Sequence, residues 1–142
     1  MAQRNFFKRL LKNVEMSSVS GAAGMRTDTN PKKSGRMRIG NQSTKRHEVT
    51  ITEQDLRLLW EKQDGRCYWL KIKMSLKDLY VAHSPFAPSV DRIDNTKGYH
   101  LDNIVLCTRF ANKGRGAYNS DDFATRLNDL LKELNSPKES FF

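Results

Sequence analysis

Between Pro88 and Gly116 the chain reads PSVDRIDNTKGYHLDNIVLCTRFANKGRG, a stretch unusually rich in side chains that could work on a phosphate group. Asp91, Asp94, Asn103 and Asn112 offer hard oxygen donors. Mg²⁺ prefers such donors, keeps several waters, and often binds through few protein groups. Arg92, Lys97, Arg109, Lys113 and Arg115 could contact phosphate oxygens. His100 carries the side chain whose ordinary pKa best suits proton transfer near neutrality. Each residue alone has a plainer reading. Asp91 and Asp94 could be loop carboxylates, Asn95 and Asn119 turn or cap residues, and Lys113 and Arg115 solvated charges. His100 alone would be a surface histidine, and His83 and His47 still more so. The ordered set Asp91, Gly98-Tyr99, Asn103 and Asn112-Lys113 lifts the segment above those readings.

The elements that must position this set follow from local pattern. Ser89–Asp94 is a strand candidate, Asn95–Lys97 with Gly98 a turn, and Asn103–Thr108 a second strand. A short helix carrying Asn112 and Lys113 comes next, giving strand, loop, strand, helix. Upstream, the folded region begins near Val49. Thr52 is a good N-cap, Leu56, Leu59 and Trp60 have helical spacing, and Gly65 ends that helix. Cys67–Ile72 and Leu76–Val81 read as short extended or irregular pieces, and Pro85 and Pro88 keep the chain extended. Downstream, Asn119 or Ser120 caps a helix over Asp121–Leu134. Its acids sit at the N-terminus, and Phe123, Leu127, Leu130, Leu131 and Leu134 form the expected buried stripe.

The first third of the chain is different. Asn5–Glu15 fits one short amphipathic helix with Phe6, Leu10, Leu11 and Val14 on one side, marginal in length for standing alone. Ser17–Glu48 holds no aromatic residue and carries basic clusters at Lys32 and Lys33, Arg36 and Arg38, and Lys45 and Arg46. That is the composition of a linker or an arm that orders on a partner. The division expected is therefore a basic N-terminal part, 1–48, and a folded α+β part, 49–142, whose core lies at about 88–116.

Composition narrows the function class. The hydrophobic fraction is 37%, below the usual value of roughly 45–50%, so part of the chain is expected to lie outside a core. No apolar run is long enough for a bilayer, and MAQRNFFKRLLKNVEM lacks the long apolar core and cleavage site of a signal peptide. A cytoplasmic location follows as the expectation. Cys67 and Cys107 are the two cysteines. Two cannot build a four-thiolate zinc site, and a disulfide is disfavoured in a reducing compartment. Of the 25 Lys and Arg, eleven fall in residues 1–48, against three of the 16 acids. The excess of a net charge of +9 thus belongs mainly to the first third. Basic segments bind polyanions by releasing condensed counterions, which favours nucleic acid over an acidic membrane surface. A tail that only aids solubility is the bland alternative.

The segment Pro88–Lys113, with its S-hydrophobic-D-R-I-D, G-Y and N-hydrophobic pattern, resembles the HNH family of nucleases, also called ββα-metal or His-Me finger, in a variant common in phage-encoded proteins. The likeness extends more weakly over Gly65–Arg115. It implies an α+β fold, a small ββα-metal finger with flanking helices and a basic N-terminal tail that can be extended. By position, it implies that Asp91 and Asn112 hold Mg²⁺ or Mn²⁺, that Asn103 pins the loop between the strands, and that Lys113 and Arg115 contact phosphate. It further implies hydrolysis of DNA phosphodiester bonds, by nicking or double-strand cleavage, to 5′-phosphate and 3′-hydroxyl ends, in a bacterial or phage-infected cell.

One position departs from the pattern. The family places a histidine base directly after the metal-binding Asp, and here stands Arg92. An arginine stays protonated and is a poor base, though it could clamp the scissile phosphate. Three explanations compete: another base, with His100 first and His83 and Tyr99 behind; a metal-bound water needing no strong base; or a weak or inactive nuclease. The last gives the alternative function, a non-catalytic DNA-binding module on the same fold. Many relatives carry a structural zinc on two C-x-x-C pairs. Here Leu70 and Phe110 replace the second members of Cys67-Tyr-Trp-Leu70 and Cys107-Thr-Arg-Phe110. No structural zinc is expected, and Leu70 and Phe110 are expected to meet in an apolar cluster.

Overall fold

The computed structural model describes residues 5–18, 47–116 and 118–141. Lys32, Lys33, Arg36, Arg38, Lys45 and Arg46 lie outside the described residues. The described elements run α1 (Phe6–Ser17), α2 (Glu53–Lys62), a 3₁₀ turn at Leu76–Tyr80, β1 (Pro88–Arg92), a 3₁₀ turn at Leu101–Asn103, β2 (Ile104–Thr108), α3 (Arg109–Arg115) and α4 (Ser120–Asn135). The strands pair antiparallel, with Ser89 opposite Cys107, Asp91 opposite Val105 and Arg92 opposite Ile104. The architecture is a small α+β fold with a two-stranded sheet, consistent with a ββα arrangement.

The helix starts follow their caps. Thr52 and Asp55 form a capping box on α2, each side chain bonded to the other's backbone N–H. Asn5 caps α1 through Lys8 N, Thr108 caps α3 through Ala111 N, and Asn119, rather than Ser120, caps α4 through Asp122 N. β1 ends two residues earlier than the sequence suggests, because the Asp94 N–H turns to the Asn103 side chain instead of a strand partner. Leu76–Val81, expected to be extended or irregular, opens with the 3₁₀ turn, while Ser75 and Ser84 both donate to the Asp78 carboxylate.

Three further expectations are revised. Residues 6–17 belong to the folded body, because Phe7, Leu10 and Val14 are buried in the same core cluster as Leu56, Leu79, Val90 and Leu106. Of the expected stripe on α4, only Leu127 is buried; Leu130, Leu131 and Leu134 face outward. α4 is tied to the body near its start, where Phe123 meets Trp69 edge-on at 5.2 Å. Phe110 is 64% exposed and does not close a cluster with Leu70. The Cys67 sulfur instead accepts N–H bonds from Leu70 (3.4 Å) and Thr108 (3.3 Å), joining the 67–70 turn to the end of β2. Burial, more than the nearby Asp91 charge, pushes the Cys107 thiol far above its ordinary pKa.

Among the described residues no third strand lies beside β2, and other groups satisfy the Leu106 backbone on that edge. Gln63 accepts from Leu106 N (2.9 Å) and donates to Leu106 O (2.7 Å), and Tyr68 N donates to the same carbonyl (2.9 Å), so side chain and loop together cap that edge. On the far side, residues 48–50 lie against the loop after β1: Tyr99 N donates to Glu48 O and Thr50 N to Tyr99 O. A side chain at Gly98 would place a Cβ 2.5 Å from Glu48 O, so this close approach requires glycine.

The docking of α1 has a direct test. Leu10 is 1% exposed, so Leu10→Ala is expected to cost about 2–5 kcal/mol in urea unfolding of the full chain. A change below about 0.5 kcal/mol would mean α1 is not part of the cooperative unit.

Candidate functional site

Strand alternation puts Ser89 and Asp91 on one face of β1, and helical spacing puts Asn112 and Arg115 on one face of α3. These two faces meet. Asn112 Nδ2 donates to Ser89 Oγ at 2.7 Å and to Val90 O at 3.3 Å. One turn along, Arg115 Nη1 donates to Asp91 Oδ1 at 2.7 Å and to Arg92 O at 2.6 Å, and Nη2 donates to Ile93 O at 2.6 Å. The other Asp91 oxygen accepts from Trp69 Nε1 at 2.9 Å, and the guanidinium lies 5.3 Å from the centre of the Trp69 ring. Arg115 is 1% exposed and Asp91 5%. Arg115 is therefore not a surface cation reaching for phosphate, as its sequence position suggests; it is the counter-ion of Asp91.

Arg92 has a different partner set. Its Nη1 donates to Asn95 O, Lys97 O and the His47 ring nitrogen Nδ1, each at 2.9 Å, and its guanidinium sits 5.2 Å from the Tyr99 ring centre. It holds the loop closed instead of offering a free fork to phosphate. His47 takes the contact as the neutral acceptor: burial first, and the Arg92 charge second, lower its pKa. Asn103, buried in the same loop, accepts from Asp94 N (2.9 Å) and donates to Asp94 O (3.1 Å) and Gly98 O (2.9 Å). That is the loop-pinning placement expected of it. Asp94 is held below the usual carboxylate range chiefly by bonds from Thr96, and its second oxygen lies 3.9 Å from the exposed Lys97 ammonium.

His100 is directed elsewhere. Its Nδ1 is 2.9 Å from Thr50 Oγ1 and its Nε2 is 3.5 Å from Glu48. His83 lines the same cleft as Ser89, Asn112, Arg109 and Lys113, and its backbone has φ +63°, uncommon outside glycine. The cleft measures about 670 Å³, and no carboxylate among the described residues lines it. Tyr99 contributes to its wall as well.

The donors present were tested against a divalent cation. Asp91 and Asn112 supply hard oxygens from facing surfaces of β1 and α3, and Asn112 Oδ1 accepts no hydrogen bond among the described residues. Each Asp91 oxygen accepts one side-chain bond and keeps a second lone pair. The donors are of the type a magnesium-like ion takes, but Asp91 is 5% exposed, is paired with Arg115, and does not line the cleft that Asn112 lines. Among the described residues no group of three His, Cys, Asp or Glu side chains is placed to hold a metal.

Reading the sequence alone missed Trp69, Ser89 and His47. Ser89 was reachable, being two residues before Asp91 and so on its face. Nothing local marks Trp69 or His47, which reach the site only through tertiary packing. No family model, curated protein or solved structure matches the chain. No described helix is long and apolar enough to cross a membrane.

Two predictions follow from these contacts. Arg115→Ala leaves Asp91 buried without its cation and is expected to cost about 3–5 kcal/mol in denaturant unfolding. Asp91→Asn combined with Arg115→Met should cost clearly less, and equal losses would contradict the pairing. For His47 the folded protein disfavours the charged form, so the stabilisation is present above its ordinary value of 6.5 and lost as pH falls through that region. Histidine NMR titration should show His47 titrating below 6.5, and Arg92→Gln should raise it; a His47 pKa unmoved by that change would disprove the contact.

Proposed function

We propose that the chain is a DNA endonuclease of the HNH type, hydrolysing phosphodiester bonds at the junction of β1 and α3. The observation that supports this most is the meeting of Asn112 with the Ser89–Asp91 face of β1, beside an acid-free cleft, with Asn103 pinning the intervening loop. In this reading Asp91 and Asn112 would hold Mg²⁺ or Mn²⁺, which would supply Lewis-acid polarisation of the phosphoryl group and stabilise the departing oxygen. Arg109 and Lys113 line the cleft and neutralise backbone phosphate. Arg92, placed where the family has its base, is engaged by carbonyls and serves the loop.

The base is assigned to His83 in place of His100. His83 shares the cleft with Asn112 and Lys113, whereas His100 is bonded to Thr50 and Glu48. A base must come within hydrogen-bond reach of the attacking water, directly or through one further water. A cation at Asp91 would lie beside the Arg115 guanidinium and be repelled by it, so the ion pair would set a threshold for activity.

A second reading is supported by the same pair. A carboxylate already neutralised by a buried arginine, next to an arginine at the base position, suits a DNA-binding module that has no hydrolytic role.

Nicking of supercoiled plasmid separates the two. Wild type is expected to nick with Mg²⁺ or Mn²⁺ and not with EDTA. Asn112→Ala should remove nicking and change duplex affinity less than about threefold. His83→Ala should slow the reaction by about 10²–10⁴, and His100→Ala should leave it near wild type. Metal-independent or absent nicking by pure wild type favours the binding module, and a silent His83→Ala with an impaired His100→Ala reverses the base assignment.

A further inference from the structure

The cleft beside Asn112 has a second wall that the ββα unit does not supply. α1 contributes Arg9 and Asn13, one helical turn apart, to the same cleft that Arg109 and Lys113 of α3 line. We propose that α1 is the second jaw of a groove for a nucleic-acid strand, so that one phosphodiester backbone is held between Arg9 and Asn13 on one side and Arg109 and Lys113 on the other. This rests on the DNA reading above and extends it from a reacting site to a strand path.

Four observations carry the assignment. α1 is fixed in place by Phe7, Leu10 and Val14 in the core, so its outward side chains are presented by a rigid element. Arg9 and Lys113 are exposed, Arg109 is half-buried, and none of the three makes an ion pair among the described residues. No Asp or Glu among the described residues lines the groove to neutralise them. The Arg9 guanidinium lies 5.8 Å from the Tyr80 ring centre, a contact that limits its freedom without removing its charge. Unopposed cations on two walls, joined by the Asn13 amide and the Ser89 hydroxyl, match a polyanion that crosses the groove. The charges of α1 outside the groove provide an internal control, because Lys8 and Lys12 are exposed on the same helix and do not line it.

The test is the salt dependence of duplex binding by the full chain, measured by fluorescence anisotropy with a labelled duplex of about two helical turns. Arg9→Gln and Lys113→Gln should each lower the slope of log K against log salt by about 1 and weaken binding about five- to tenfold at moderate salt. Arg9→Lys should restore most of the slope, and Lys8→Gln and Lys12→Gln should leave slope and affinity within about twofold of wild type. Thermal melting of each variant confirms the fold. If Arg9→Gln behaves like Lys8→Gln, the groove assignment is overturned while the DNA reading stands. If wild type binds no duplex at low salt, the DNA reading itself falls and this strand path falls with it.

Discussion

The buried pair between Asp91 and Arg115 is the contact on which the arrangement of the site depends. One guanidinium bonds the β1 carboxylate and the carbonyls of Arg92 and Ile93, and it lies over the Trp69 ring. Trp69 in turn bonds the same carboxylate and meets Phe123 of α4. Four parts of the chain, β1, α3, the 67–70 turn and the start of α4, therefore converge on one charge pair. Removing a single partner from such a pair strands a charge in a poorly solvated place, which is why its loss costs more than its presence contributes. The same pair decides how the site can work, since any cation recruited by Asp91 must compete with a guanidinium already in contact.

Much of the ββα unit was legible in the residues. The strand–loop–strand–helix order, the loop pin at Asn103 and the caps at Thr52 and Asn119 rest on local rules of alternation, turn chemistry and capping. What stayed hidden depends on distant partners. Arg115 reads as a solvated cation at the end of a basic helix until Trp69 and Asp91 are seen to enclose it. Arg92 reads as a free clamp until His47 and two loop carbonyls claim it. The stripe on α4 shows the opposite failure: period alone predicted burial of Leu130, Leu131 and Leu134, but the body reaches only as far as Leu127.

The role of the first helix also changes with the tertiary view. Its apolar side is too short to hold a helix alone in water, and the core cluster supplies what it lacks. Once docked, its polar side faces the same cleft as Asn112 and Lys113. Packing and binding are thus assigned to adjoining sides of one twelve-residue element, with Leu10 and Val14 bordering both the core and the cleft.

The central claim is that Asp91 and Asn112 act together on one cation at a bound phosphodiester. The most direct measurement is paramagnetic broadening of backbone amide NMR signals by Mn²⁺, added with a duplex whose phosphorothioate linkages resist cleavage. The account predicts that signals from Asp91, Arg92, Asn112 and Lys113 fade first and together. Broadening confined to the exposed acids Asp121 and Asp122, with the β1 and α3 signals intact, would contradict it.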